Sequence, residues 1–145
     1  MQYKENAVKE KMIKKLRIQS KVENLRAVEN AIDNITGEAG ISQDNYGKIL
    51  VSTLEAVNNA IIHGNKADVA KIVNIEIILN DEELVITVED EGKGFIPNII
   101  PDPTQPENIE AINGRGIYLM TKLADNIKFN KRGNRVTMKF KNIKT

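Results

Sequence analysis

The sequence predicts an α/β protein of the two-layer α+β kind, a mostly antiparallel mixed sheet with helices packed on one face. Three observations predict it. Two segments carry apolar residues at helical spacing, Leu25, Val28, Ile32 and Ile35 in the first and Leu50, Leu54, Val57 and Ile61 in the second. Two later segments alternate with period two, Val73, Ile75, Ile77 and Leu79, then Leu84, Ile86 and Val88. The strand-like segments come in pairs across Asn80-Asp81 and Gly133-Asn134, turn sequences that bring neighbours together antiparallel.

Taken in order, residues 12–18 read as an edge strand, with Leu16 and Ile18 on one face and Lys15 and Arg17 on the other. Ser20 followed by Glu23 makes a capping box that opens the first helix, and Gly37 and Gly40 end it. Ser42 and Asp44 suit the start of the second helix, because both favour its free N–H groups and dipole. Gly64 and Asn65 stop that helix, and the two alternating strands follow. Residues 96–113 then lose all periodicity and hold all 4 prolines, Pro97, Pro101, Pro103 and Pro106. So long a connection points to a functional lid or a disordered segment. Residues 116–124 read as a helix with Leu119 and Leu123 inward. Ile127 and Phe129 make a short strand, and Val136, Met138 and Phe140 make the last one. The order β-α-α-β-β-lid-α-β-β fits one domain over residues 1–145, with residues 1–11 loosely held.

Composition narrows the function. The chain has 145 residues, 41% hydrophobic and 28% charged, ordinary values for a globular protein. A net charge of +1 and an aromatic share of 4% argue against direct nucleic-acid binding, which needs a basic surface or stacking platforms. No apolar run is long enough to span a bilayer, so no membrane partner is expected. The Lys- and Glu-rich start lacks the apolar core of a signal peptide, and with 0 Cys there are neither disulfides nor thiolate ligands. A cytoplasmic protein is the expectation.

Three constellations carry chemistry. On the second helix Glu55, Asn59 and His63 fall in one stripe at i, i+4 and i+8. A plain solvated face is the bland reading, but Asn58-Asn59 in mid-helix has poor propensity and asks for another reason. At the end of the second alternating strand stands Asp90-Glu91-Gly92-Lys93-Gly94-Phe95. Alternation puts Asp90 on the core face, where a carboxylate needs a partner such as the exocyclic amine of a bound base; the other reading is a turn cap. Gly92 and Gly94 permit positive φ and let a ligand approach the backbone. Third, Asn113-Gly114-Arg115-Gly116-Ile117 opens a helix, exposing N–H groups that favour phosphate, or serving as the hinge of a lid. No GxxxxGK[ST] is present and no GxGxxG follows a strand, so P-loop, dinucleotide-binding and protein-kinase glycine loops are excluded. His63 is the 1 His of the chain, which excludes His-rich metal sites.

Together the three resemble the motifs of the GHKL ATPases. Glu55-Ala-Val-Asn-Asn59-Ala-Ile-Ile-His63-Gly64 resembles their N-box, the Asp90–Phe95 stretch their first glycine box, and Gly114-Arg-Gly116-Ile-Tyr-Leu119-Met120 their second. The resemblance extends from about residue 12 to the C-terminus, and the subgroup it is most similar to is the small bacterial anti-sigma-factor serine/threonine kinases. It implies the Bergerat fold, ATP held between helices and sheet, and Mg2+. By that likeness Asn59 coordinates Mg2+ and Glu55 is the general base. Asp90 accepts from the adenine amine, Gly92 and Gly94 line the pocket, and His63 and Ile117 belong to the nucleotide site. Gly114 and Gly116 let residues 96–113 close as an ATP lid, and Arg115 reaches the γ-phosphate. The implied activity is transfer of the γ-phosphate to a Ser or Thr of an anti-anti-sigma (STAS-like) partner, which regulates a sigma factor. A nucleotide-gated binding switch without phosphotransfer is the alternative. The likeness also implies a homodimer through the first strand and helix, and an edge strand is a ready pairing surface. One departure stands out: family members often carry Ser or Thr just before the Val of the last motif strand, where this chain has Asn134-Arg135.

Overall fold

Strand β1 (Met12–Gln19) comes first, followed by a short 3-10 turn (Val22–Asn24) and helix α1 (Leu25–Ala39). Helix α2 (Gln43–Asn59) runs into a π-helical turn (Ala60–Gly64), and the hairpin β2 (Ile72–Asn80) and β3 (Glu83–Glu89) follows. Helix α3 (Gly114–Leu123) leads to the second hairpin, β4 (Asn126–Phe129) and β5 (Arg135–Phe140). The structure, a computed structural model, describes residues 11–93 and 114–144. The expected lid at 96–113 and the N-terminal residues 1–10 lie outside them.

The five strands form one sheet in the order β1-β2-β3-β5-β4. Every described pair is antiparallel, so the "mixed" part of the expectation gives way to a purely antiparallel sheet. Strand β1 lies at one edge, as its alternation predicts, and pairs from Met12↔Leu79 to Gln19↔Ile72. Val73, Ile75, Ile77, Leu79, Leu84, Ile86, Val88, Val136, Met138 and Phe140 are all buried. They form one core with Val28, Ile32 and Ile35 of α1, Ile49 and Val57 of α2, and Ile117 and Met120 of α3. Period-two burial on the strands and helical burial on the other layer make the two-layer sandwich.

Helix boundaries follow local chemistry with some corrections. Ser42 caps α2 by accepting the Asn45 N–H at 3.3 Å. Gly40, at φ 68°, ends α1 in the left-handed region and sends its N–H to Thr36 O. Gly37 lies inside α1 rather than ending it. The Ser20–Glu23 capping box does not form. Ser20 is buried, and its hydroxyl donates to Lys71 O at 2.8 Å while accepting from Asn65 Nδ2 at 2.9 Å. A tertiary carbonyl has outcompeted the helix terminus, and the 3-10 turn begins without a side-chain cap.

The buried arc of α2 is wider than the expected stripe, of which Val57 and Ile61 are fully buried. Ile49, Thr53, Ala56, Val57 and Ala60 are buried, whereas Leu50 and Leu54 are half-buried. The helix is covered by α1, by α3 and by the sheet, so its buried arc is wider than one face. On α3, Ile117 and Met120 are buried, and Leu119 and Leu123 are half-buried. At the C-terminus, fully buried Ile143 accepts the Ser42 N–H at 3.1 Å and the Asn45 side-chain amide at 2.9 Å, tying the chain end to the start of α2. Among the described residues no helix is long and apolar enough to cross a membrane.

Candidate functional site

The largest polar irregularity in the fold lies where α2 loses its regular winding. At Ala60–Gly64 the helix widens into a π turn, and Asn65 N–H reaches back to Ala60 O at 2.8 Å. The chain then passes through Lys66 and Ala67 at φ 55° and 58°, left-handed values that turn it sharply toward β2. Such local winding at a helix end is a device for placing backbone where a straight helix would not.

A cavity of about 570 Å³ opens beside this turn. Its walls are Ala56, Asn59, Ala60, His63 and Gly64 from α2 and its turn, and Val88, Asp90 and Gly92 from the end of β3. Ile117 and Met120 of α3 and Phe129, Asn134 and Val136 of the second hairpin complete it. The volume suits a small organic ligand, and apolar walls with a few convergent polar groups are the usual composition of such a site. Ala56 and Ala60 matter by their smallness, since larger side chains there would fill the space. Lys66, Lys71, Lys93 and Arg135 bring positive charge to the lining.

Asp90 is the carboxylate of the cavity. Burial pushes its pKa up; hydrogen bonding from Gly92 N–H and the nearby charges of Arg132 and Lys71 pull it partly back. The Gly92 N–H donates to Asp90 Oδ1 at 2.8 Å. The carboxylate lies against Gly64, so closely that a Cβ on Gly64 would overlap both its oxygens. Gly92 in turn packs on the Gly64 carbonyl, and Arg132 Nη2 donates to Gly92 O at 3.1 Å. Gly92 does not have positive φ. The sequence suggested backbone freedom and approach of a ligand; the structure uses this glycine for close approach of two backbones.

On the opposite side, α3 descends onto α2. A Cβ on Gly116 would stand 2.8 Å from Asn59 Nδ2 and 2.9 Å from Glu55 Oε1. Glu55 and Asn59 are therefore half-buried under the first turn of α3, and the solvated-face reading of the stripe does not hold. Asn59 and His63 line the cavity; Glu55 is not in its lining and borders Gly116 instead. Burial, with the charge of Lys66, lowers the pKa of His63, which favours the neutral imidazole near neutral pH. Gly114 is the first residue of α3; Gly94 and the Arg115 side chain lie outside what is described. Of the expected site residues, Asn59, His63, Asp90, Gly92 and Ile117 are thus gathered around one cavity, with Glu55 and Gly116 adjoining it.

A nucleoside triphosphate fits this arrangement. The apolar slot suits a base, Asp90 offers an acceptor for an amine, and the α3 N-terminus suits phosphate. Mg2+ fits the donor set as well. The Asn59 amide can supply an oxygen donor, and a cation that keeps several waters needs few protein ligands.

Several residues that organise the site carry no sequence motif. Fully buried Asn65 accepts the Glu91 N–H at 2.8 Å and donates to Ser20 Oγ at 2.9 Å and Ile72 O at 3.2 Å. Glu91 Oε2 accepts the Ile72 N–H at 2.6 Å. Asn130 and Asn134 brace the other side of Asp90, and Arg132 holds the glycine turn. The one available signal was the density of Asn after α2 and in the last hairpin, where side-chain amides readily satisfy turn backbone.

A family model described as a histidine kinase-like ATPase domain matches residues 18–140. An anti-sigma F factor of Clostridium acetobutylicum is 33% identical over 135 residues, covering 87% of this chain and 91% of that protein. An anti-sigma F factor of Clostridium perfringens strain SM101 is 36% identical over 100 residues, 64% of this chain and 70% of that protein. A solved structure of RsbU and RsbW domains from Mycobacterium tuberculosis superposes with a TM-score of 0.66 at 16% identity, a likeness of fold. It covers 90% of this chain and 32% of that one.

Proposed function

Because the chain belongs to the histidine kinase-like ATPase family, we propose that its cavity binds Mg-ATP and that it acts as an anti-sigma-factor serine/threonine kinase. The partner substrate is an anti-anti-sigma (STAS-like) protein, and the regulated partner is a sigma factor. The observation that carries this reading is the meeting of the three motif segments on one cavity. Asp90 over Gly64 forms one end and Asn59 the other, with Glu55 adjoining it under Gly116. The names of the anti-sigma F factor relatives supply the biological direction.

In this reading Asp90 accepts the amine of adenine, and Val88, Ile117 and Met120 enclose the ring. Asn59 offers its amide oxygen to Mg2+, whose role is to draw charge from the phosphates. The first turn of α3, Gly114 to Gly116, presents backbone N–H groups to the same phosphates. Glu55 takes the proton of the attacking Ser or Thr hydroxyl. Phosphoryl transfer is mostly positioning and charge stabilisation, which rigid main-chain contacts supply well.

The nucleotide-gated switch has one observation in its favour: Glu55 borders Gly116 rather than lining the cavity. The test is incubation with γ-labelled ATP and candidate STAS proteins, after equilibrium binding has established affinity for ATP. Label on a Ser or Thr of a STAS protein supports the kinase. ATP binding with no transfer to any candidate rejects the kinase and leaves the switch. No ATP binding rejects both.

A further inference from the structure

The end of the β3–β5 ladder is built in an unusual way. Regular pairing stops at Glu89↔Arg135, and the next pair is Asp90 opposite Asn134. Asp90 N–H donates to Asn134 O at 2.9 Å, as an antiparallel ladder requires. The return bond does not come from the Asn134 N–H. That group is turned toward Asn130 Oδ1, at 3.1 Å, which also accepts from Gly133 N at 2.8 Å and Arg135 N at 3.1 Å. The side-chain amide of Asn134 replaces it and donates to Asp90 O at 2.8 Å. Asn130 Nδ2 fixes that amide by donating to Asn134 Oδ1 at 2.8 Å. Asn134 is 7% exposed, so water competes poorly for these bonds.

We propose that Asn134, held by Asn130, is the positioning residue that sets Asp90 for recognition of a 6-amino purine over a 6-oxo purine. The proposal rests on the nucleotide-binding reading and deepens it. The Asp90 main chain is clamped at both its N–H and its C=O by one residue, and its side chain is then fixed by Gly92 N–H and Gly64. A hydroxyl at position 134 is too short to close the same ring, so the Asn130–Asn134 pair is this chain's own way of building the support. An amine on the base donates to the carboxylate only if the carboxylate stands where the ring plane meets it. A 6-oxo group has no hydrogen to donate to Asp90, so it gains no bond from that placement.

The test compares ATP with inosine triphosphate, which differ in the substituent at C6, by calorimetric titration of the full chain. The wild type is expected to prefer ATP by at least about tenfold, because a site built to pair with a donor rejects the analogue without it. Asn134→Ala is expected to lower that preference by at least about fivefold while inosine triphosphate affinity stays within about twofold. Asn130→Ala is expected to move the preference in the same direction by less, and it carries the test if circular dichroism shows Asn134→Ala unfolded. An unchanged preference in the folded variants, whether both ligands weaken equally or neither does, overturns the proposal and makes Asn134 a purely structural residue. Failure of the wild type to bind either nucleotide overturns the underlying reading, and this role with it.

Discussion

The Asp90 carboxylate rests directly on Gly64, with no room between them for a single methyl group. The end of α2 and the end of β3 are therefore registered by contact. Gly92 repeats the relationship one layer further, its Cα packed on the Gly64 carbonyl. Substitution at the two glycines should separate binding from stability. Gly64→Ala pushes on a side chain, so the fold survives while ATP affinity falls by at least about tenfold. Gly92→Ala pushes on backbone, which cannot rotate away, and should destabilise the protein by about 1–3 kcal/mol. Urea denaturation and calorimetric titration of both variants check the contrast; equal effects on both measurements would contradict it.

Asp90 sets a pH dependence. Its folded-state pKa is raised, chiefly by burial, so the folded protein holds that proton more tightly than the unfolded chain does. The sign follows: the ionised carboxylate destabilises the free protein above its raised pKa, and the penalty fades as pH falls through that value. Free Asp90→Asn should therefore be as stable as the wild type or more so at pH 7, with the difference vanishing in acid. Binding runs the other way. At ~100 times its dissociation constant, Mg-ATP should stabilise the wild type by about 2.7 kcal/mol, and Asp90→Asn should lose most of that gain. Protonation of Asp90 should weaken binding at a higher pH than an ordinary aspartate would give. Thermal unfolding across pH, with and without Mg-ATP, reads all three effects.

Asn65 should matter for stability more than its exposure to any ligand suggests. It is fully buried and satisfies groups on three separated segments, at Ser20, Ile72 and Glu91. Asn65→Ala leaves the Glu91 N–H and the Ile72 carbonyl without that partner and should cost about 2–3 kcal/mol in chemical denaturation. A loss below half a unit of kcal/mol would show that the segments hold their places without it.

Glu55→Gln tests the proposed base. The substitution keeps the size of the side chain beside Gly116, so ATP affinity should stay within about threefold. Single-turnover transfer to the STAS partner should fall at least about a hundredfold, the usual contribution of a positioned base. Retained transfer would remove Glu55 from the chemistry.

The two-layer fold was legible because strands β2, β3 and β5 bury one face only, so period two survives in their residues. The α2 stripe was legible at Val57 and Ile61, both fully buried, and incomplete beside them. Ala56 and Ala60 are buried there by the cavity side and the sheet, while Leu50 and Leu54 sit at the margin. Small residues carry no signal in a hydrophobic pattern. Ser20 misled because its partners, Asn65 and Lys71, lie 45 and 51 residues away, and a local capping box looks the same with or without them. Motif residues named the region of the cavity. The amides that brace it, at positions 65, 130 and 134, act on backbone of distant segments, and such acceptors have no sequence signature.

Gly64, Gly92 and Gly116 share a property that the word flexible misses. Among the described residues the glycines at positive φ are Gly40 and Gly133, not these three. Each of the three instead erases a side chain where two main chains, or a main chain and a motif side chain, come together. They act as negative volume. The dimensions of the cavity are accordingly set by how near these segments approach, together with small lining residues such as Ala56 and Ala60. One carbon added at Gly92 would act as a shim between two backbones, and one added at Gly64 or Gly116 would displace the motif side chains that face it.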